Sequence, residues 1–344
     1  MAVKYRKERI DRGIKARCDD IFALTSHREM LYLLLPRALP VALLLIFPLL
    51  QGVVGLYWER VVTFSCVIGL LALSWDLMAA VGLISLGQAF FFGVGAYIAG
   101  ALNYYFGLPP IVTIPTATLA GALICTLLLL PTLRLRGIYF ALFTLVLPLF
   151  FMRIIEATKI LGGTVGLSSL SPLPNVWVEL YVPIIALLVF LFAYRRLLFA
   201  TDYGTILMGI RDNDRAVMAG GINIYWYKAQ IVFIASLPAT FAGAFLTHYY
   251  QFVGMPAFAL DYSILPLACA VVGGIGTLAG PVLGAFILVP IFEALRAFGT
   301  LRVAMYSLAL AIFVVTLPEG VFHYLRRKYH QFERLVPIGV EEGG

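Results

Sequence analysis

Side chains that could carry out chemistry are sparse in this sequence and form no catalytic pattern. The histidines His27, His248, His323 and His330 have no carboxylate or cysteine at metal-ligand spacing, and the four cysteines show no paired spacing. Neither a phosphate-binding Walker loop nor the zinc-protease pattern HExxH is present. The sequence therefore argues against an enzyme, against ATP hydrolysis by this chain, and against a bound metal or cofactor.

One polar stretch has a recognisable local design, namely TILMGIRDNDRAVMAGGINIYWY at Thr205–Tyr227. Asp212 or Asn213 can cap a short helix over 215–219, and Gly220-Gly221 can end it. A modest apolar stripe is formed by Ile210, Ala216, Val217 and Ala219. We interpret this stretch as an amphipathic helix that docks into a groove of a soluble motor protein. The alternative is an ordinary cytosolic loop.

The surrounding sequence predicts a polytopic membrane protein. Of the 344 residues, 62% are hydrophobic and 12% are charged, whereas soluble domains have about 25% charged residues. A helix needs about 20 apolar residues to cross a bilayer. By that rule we expect spans near 31–57, 61–80, 82–105, 111–132, 138–155, 176–194, 227–250, 263–277, 281–295 and 303–319. The expected fold is an all-α transmembrane helical bundle with about eight to ten crossings.

Two glycine-rich stretches interrupt these spans, one after the second span and one between the eighth and ninth. Broken or re-entrant helices occur at membrane depth where they line a cavity. Close packing of continuous helices through small residues is the alternative. The candidate substrate path comprises Ser85, Gly87, Gln88, Phe91, Gly93, Gly95, Tyr97, Gly273, Gly274 and Gly276.

Few ionisable residues fall inside the predicted spans. Asp76 lies near the end of the second span, where it is either functional or snorkels to the interface. Arg153 and Glu156 can pair at i, i+3, and so can Glu293 and Arg296. A self-sufficient secondary carrier or channel would keep charged relays inside the membrane, so an external motor is favoured. A structural subunit without a pathway would lack the glycine breaks.

Lysine and arginine are distributed asymmetrically over the predicted loops. Most share the side of the basic N-terminal arm, and few fall opposite. By the positive-inside rule both termini and the polar stretch are cytoplasmic. We expect a cytoplasmic arm over 1–30, a transmembrane domain over 31–320 with a coupling loop near 195–226, and a cytoplasmic tail over 321–344.

From Trp75 to Leu325 the chain resembles the permease subunit of branched-chain amino acid ABC importers. The similarity is carried by GLISLGQAFFFGVGAY at 82–97, LRLRGIYFALFTL at 133–145, IRDNDRAVMAGGINIYWYK at 210–228 and SILPLACAVVGGIGTLAGPVLGA at 263–285. Two departures occur, at Leu83-Ile84 and at Ala219. They bear on the substrate path and on the docking contacts, respectively.

The resemblance implies a complex of two permease subunits, often different chains, in a bacterial inner membrane. Two cytoplasmic ATPases would hold the Mg-ATP, and an external binding protein would deliver the substrate. The docking helix would lie within Asp212–Gly221 and include Asn213 and the exit turn Gly220-Gly221. Its polar residues Arg211, Asp212 and Asp214 would meet the ATPase groove, and Ala216 and Val217 would pack into it. The implied substrates are branched-chain or related amino acids, with urea or short amides as the alternative.

Overall fold

The computed structural model describes residues 5–9, 38–50, 55–135, 137–295, 308, 311, 313, 315, 316, 319–330 and 333–337. Most of the predicted N-terminal arm and of the tenth span lies outside the described residues. So does Arg296, and the predicted pair with Glu293 remains a prediction. The Arg153–Glu156 pair is confirmed, with an N–O distance of 2.6 Å on an exposed helix face.

Helices make up most of the described chain, because inside a bilayer only internal hydrogen bonds can satisfy the backbone. Their bounds are α1 Ala38–Leu50, α2 Leu56–Ala79, α3 Gln88–Phe106, α4 Pro110–Leu129, α5 Ile138–Thr158, α6 Val176–Phe199, α7 Asp202–Ala219, α8 Ile224–Tyr250, α9 Asp261–Gly273, α10 Ala279–Ala294 and α11 Val321–His330. Short 3-10 turns occur at Phe47–Leu50, Leu130–Arg134, Ile160–Gly162 and Met255–Phe258.

Within the described residues, seven helical segments are long and apolar enough to cross a membrane. The apolar helices Ala38–Leu50 and Ala279–Ala294 are shorter. The predicted all-α polytopic bundle is therefore confirmed, and the total of eight to ten crossings stays a prediction.

Among the residues that the structure describes, four short strands join distant parts of the chain. β1 (Tyr5–Arg9) pairs antiparallel with β4 (Glu333–Pro337), which brings the two ends of the chain together. β2 (Leu167–Ser168) pairs with β3 (Phe252–Val253). The loop at 161–175 therefore contains a short strand. That the side carrying β1 and β4 is cytoplasmic remains a prediction.

α2 and α8 form the centre of the bundle. Nearly all of α2 is buried, whereas α4, α5 and α6 present large apolar side chains outward. Small residues bring the central helices close together. A Cβ atom at Gly95 of α3 would overlap the carbonyl oxygen of Thr240 in α8, and one at Gly243 would overlap that of Phe92. Because these contacts are to backbone, the helix packing at both positions requires glycine.

The two ends of the bundle are distinguished by what they carry. One end, called here the α7 end, contains α7, the end of α2 and the turn between α9 and α10, as the contacts of Gly82 and Asp76 show. At the opposite end His248 bonds Thr113 at 2.6 Å and the Ser171 carbonyl at 2.9 Å. These bonds join the end of α8 to the start of α4 and to the 161–175 loop.

Candidate functional site

The polar stretch contains a separate short helix at the α7 end. Asn213 has non-helical backbone angles (φ −157°, ψ 94°), which divide α7 into helices over 202–212 and 214–219. Its side-chain oxygen accepts a hydrogen bond from the Ala216 amide at 3.2 Å. Of the two predicted caps, Asn213 is therefore the one used. The exit turn contains Gly221 at φ +80°, a conformation that side chains disfavour.

The short helix is supported by the chain beneath it. The Lys228 ammonium, on a side chain that is 7% exposed, lies 3.9 Å from a carboxylate oxygen of Asp214. Val217 is half-buried and packs against the chain's own core near Gly209. Ala216 and the residues 218–221 are exposed. The surface free for a partner is therefore carried by Ala216 and the polar residues, while Val217 holds the short helix in place.

The first helix of α7, over 202–212, was not predicted from the sequence. Thr201 caps it by accepting a bond from the Gly204 amide at 3.4 Å. The Tyr203 hydroxyl donates to Gln230 of α8 at 3.0 Å. Burial, together with the neighbouring Tyr227, raises the pKa of Tyr203 to about 12, so this hydroxyl keeps its proton at physiological pH. The helix thereby ties the docking candidate to the membrane-spanning α8.

A cleft of about 340 Å³ lies between the short helix and two loops of the bundle. Its lining comprises Val81, Gly82, Leu83, Leu135, Gly137, the run 210–215 and Lys228. The α2–α3 turn and the α4–α5 loop therefore line the same cleft as the polar segment. A displacement of this segment would change the shape of the cleft.

The first glycine-rich stretch is a true break between helices. α2 ends at Ala79 and α3 begins at Gln88, with a turn and extended chain between them. The Trp75 indole donates to the Ser85 carbonyl at 2.7 Å, and the Ser74 hydroxyl donates to the Gln88 side-chain oxygen at 3.1 Å. The extended chain therefore turns back beside α2, and α3 starts about 8 Å inside the end of α2, at 1.5 Å per residue.

The second glycine-rich stretch forms the turn between the short helices α9 and α10. Gly274 and Gly276 have φ values of +114° and +78°. Asp76 is fully buried, and its two carboxylate oxygens accept bonds from the Gly276 amide at 2.6 Å and the Leu278 amide at 2.8 Å. The snorkelling alternative for Asp76 is therefore wrong, because the carboxylate is held by backbone amides rather than by interfacial water.

The remaining candidates for the substrate path lie in the packed interior. Gly87 and Gly93 are in close contact with Thr144 and Phe258. Phe91 is fully buried, and Tyr97 stacks on Phe258 with ring centroids 5.5 Å apart. At these positions, and at Gly95 and Gly273, the structure shows the alternative given above, namely close packing of helices through small residues. Their role in a substrate path stays a prediction.

Two buried polar groups near the first break lack a partner within the described part of the chain, the amide nitrogen of Gln88 and the Tyr97 hydroxyl. Sequence reasoning missed Ser74, Trp75 and Ser263, which hold the break in place. Ser263 accepts a bond from the Ala89 amide at 2.9 Å and so joins the starts of α3 and α9. The only sequence signal for their role in the break is that they are polar residues within apolar spans. No group of three metal-ligating side chains occurs among the described residues.

The family model and the similar proteins all belong to one family, the branched-chain amino acid transport permeases. The sequence model of the branched-chain amino acid transport system permease component matches residues 57–317. The chain is 28% identical over 277 residues to the high-affinity branched-chain amino acid transport system permease protein LivM of Escherichia coli (strain K12), and equally to that of Salmonella typhimurium. Each of these alignments covers 71% of this chain and 65% of the relative.

A third relative, matched over a shorter length, is the probable branched-chain amino acid transport permease protein LivM of Methanocaldococcus jannaschii. It is 28% identical over 217 residues, which is 56% of this chain and 62% of the relative. The chain thus spans less than two thirds of the length of these curated relatives. No solved structure matches it at a significant level.

Proposed function

Since the chain belongs to the family of branched-chain amino acid transport system permease components, we propose that it is a permease subunit of an ATP-driven importer of branched-chain or related amino acids. It pairs with a second permease, related but different in sequence. Two ATPases dock on the α7 end and hold the Mg-ATP, and an external binding protein delivers the substrate. The chain is a multi-pass membrane protein, and we propose the bacterial inner membrane as its location.

The observation that carries this proposal is the short helix at 214–219. It is capped by Asn213, exposed along Ala216 and supported from below through Lys228. An exposed helix with a rigid support suits docking into a groove of a soluble partner. Residues 210–215 line the adjoining cleft together with the α2–α3 turn. A motor that moves the short helix would therefore act on the first break through this cleft.

Co-purification tests the proposal. The tagged protein is extracted in mild detergent, its partners are identified, and ATPase activity is measured in vesicles with candidate binding proteins. We expect associated ATPases that are stimulated by a binding protein loaded with a branched-chain amino acid. A binding protein loaded with urea as the only stimulator would change the substrate class. Purification of the chain alone, with uptake on an ion gradient, would refute the importer.

A substitution in the short helix tests the coupling role. Ala216→Asp places a charge on the exposed docking face, and we expect it to abolish uptake while membrane insertion is unchanged. Ala200→Asp is the matched control, because Ala200 is an exposed alanine at the α6–α7 junction, away from the short helix. Uptake by Ala216→Asp equal to that of the control would contradict the coupling assignment.

A further inference from the structure

Asp261, the first residue of α9, is an exposed carboxylate that lies well within the length of the bundle rather than at one of its ends. The next residue, Tyr262, stacks on Phe92 of α3 with ring centroids 4.2 Å apart. Phe92 lies four residues beyond Gln88, which bonds Ser74 near the end of α2. At 1.5 Å per residue this places Tyr262 about 14 Å from the α7 end of α2, a helix about 36 Å long.

An exposed carboxylate at this depth cannot face lipid without a large energetic cost. Ionisable groups within a membrane face a partner group, the interior of a bundle or a water-filled path. Among the described residues no side chain forms a hydrogen bond or an ion pair with Asp261. The segment that presents it, residues 251–260 between α8 and α9, is β3 and a 3-10 turn rather than a continuous helix. Irregular backbone at membrane depth is tolerated where it lines a cavity.

Such a cavity is lined by Tyr262, the residue that follows Asp261 in the chain. It has a volume of about 90 Å³ and lies between α3, α8 and the irregular segment. One water needs about 10–15 Å³ on this measure, so the cavity has room for several non-hydrogen atoms. Its lining is mainly apolar and includes Phe92, Leu246, Val253, Ala257 and Tyr262. Gly243 and Ala96 form its narrow side, where α3 and α8 meet.

We propose that Asp261 and this cavity hold the translocated amino acid within the membrane, an inference that rests on the proposed import function. The carboxylate of Asp261 accepts the ammonium group of the substrate. The cavity takes its aliphatic side chain, bounded by the stacked rings of Phe92 and Tyr262. A carboxylate beside an apolar cavity recognises a compact apolar molecule with a cationic amine. It gives no advantage to a neutral molecule such as urea.

A basic side chain of the second permease is the competing partner for Asp261. The ligand is favoured because Tyr262, next to Asp261 in the chain, lines an apolar cavity. An interfacial ion pair does not require such a cavity. The two readings differ in what removal of the charge does. Loss of a ligand contact leaves the complex assembled, whereas loss of an interfacial ion pair weakens the association of the permeases.

The test uses the whole complex, with both permeases, the ATPases and the binding protein, in proteoliposomes supplied with radiolabelled leucine. Asp261→Asn removes the charge and keeps the shape. We expect leucine uptake to fall by about tenfold or more, because truncating one member of a desolvated charge pair is costly. Assembly of the complex and ATPase stimulation by the loaded binding protein remain. The matched control is Glu156→Gln, an exposed carboxylate paired with Arg153 on the surface of α5.

A second variant tests the cavity independently of the charge. Ala257→Leu adds side-chain volume from the irregular segment, and we expect the ratio of leucine to valine uptake to fall. Unchanged uptake in Asp261→Asn, or loss of permease association in that variant, would overturn the site. If the wild-type complex transports no amino acid, the proposed function is wrong. This outcome is distinct from the outcomes that would overturn only the Asp261 site.

Discussion

Replacement of Asp76 by alanine should loosen the hairpin formed by α9 and α10. The variant removes both acceptors that hold the Gly276 and Leu278 amides, although Asp76 lies on another helix. A hydrogen bond to a charged group contributes about 1.5–3 kcal/mol. Two such bonds are partly offset by the cost of burying the carboxylate, so we expect a net loss of about 2–4 kcal/mol in the stability of the hairpin.

Cys269 provides a local probe of this loss. It is a free, fully buried thiol in α9, and it becomes reactive when the hairpin opens. In a variant whose only cysteine is Cys269, the rate of maleimide labelling is proportional to the fraction of molecules in which the hairpin is open. This holds when the hairpin opens and closes faster than the maleimide reacts. Since 1.4 kcal/mol corresponds to a factor of ten, Asp76→Ala should raise the labelling rate at least about 20-fold. Asp76→Asn, which keeps one acceptor, should lie between alanine and the wild type.

Ser65→Ala in the same background is the control. Ser65 is fully buried on the same helix as Asp76, but its hydroxyl bonds only the Val61 carbonyl one turn away. Its removal leaves the contacts of α9 and α10 intact. If Asp76→Ala labels no faster than Ser65→Ala, the two amide bonds do not hold the hairpin, and the structural role assigned to Asp76 is refuted.

Three further outcomes are expected. Gly95→Ala should lower the melting temperature in detergent because its Cβ would overlap a backbone carbonyl. Gly69→Ala should not, since its Cβ would meet only the side chains of Leu187 and Ala285, at 3.4 Å or more. Equal melting temperatures of the two variants would contradict the packing argument. Gly93→Leu should prevent assembly or uptake because the ring of Phe258 occupies the space that the leucine side chain would need. Normal assembly and normal uptake in this variant would show that glycine is not needed at this position. Lys228→Met should reduce binding-protein-stimulated ATPase activity, and the loss in the double variant with Asp214→Asn should differ from the sum of the two single losses, since the two charged groups lie 3.9 Å apart. Strictly additive losses would argue against coupling through this pair.

Local patterns in the sequence were sufficient for much of the fold. The apolar runs that became α4, α5, α6 and α8 were placed to within a few residues at most ends, because bilayer thickness fixes helix length and turn residues mark the ends. The cap at Asn213 was also predictable, since it depends on residues three apart. The helix at 202–212 was missed because its residues are too polar for a membrane span, although Gly204, Leu207 and Ile210 recur on its buried face at helical spacing.

The sequence by itself determined the membrane class, the positions of most helices and the capped short helix. Each of these depends on hydropathy or on hydrogen bonds between near neighbours. Only the tertiary structure decided that Asp76 binds a turn 200 residues away. It also decided that the irregular segment before α9, together with Tyr262, lines an apolar cavity. Such contacts depend on which helix faces pack together, and residue spacing along a single span carries no information about its neighbour.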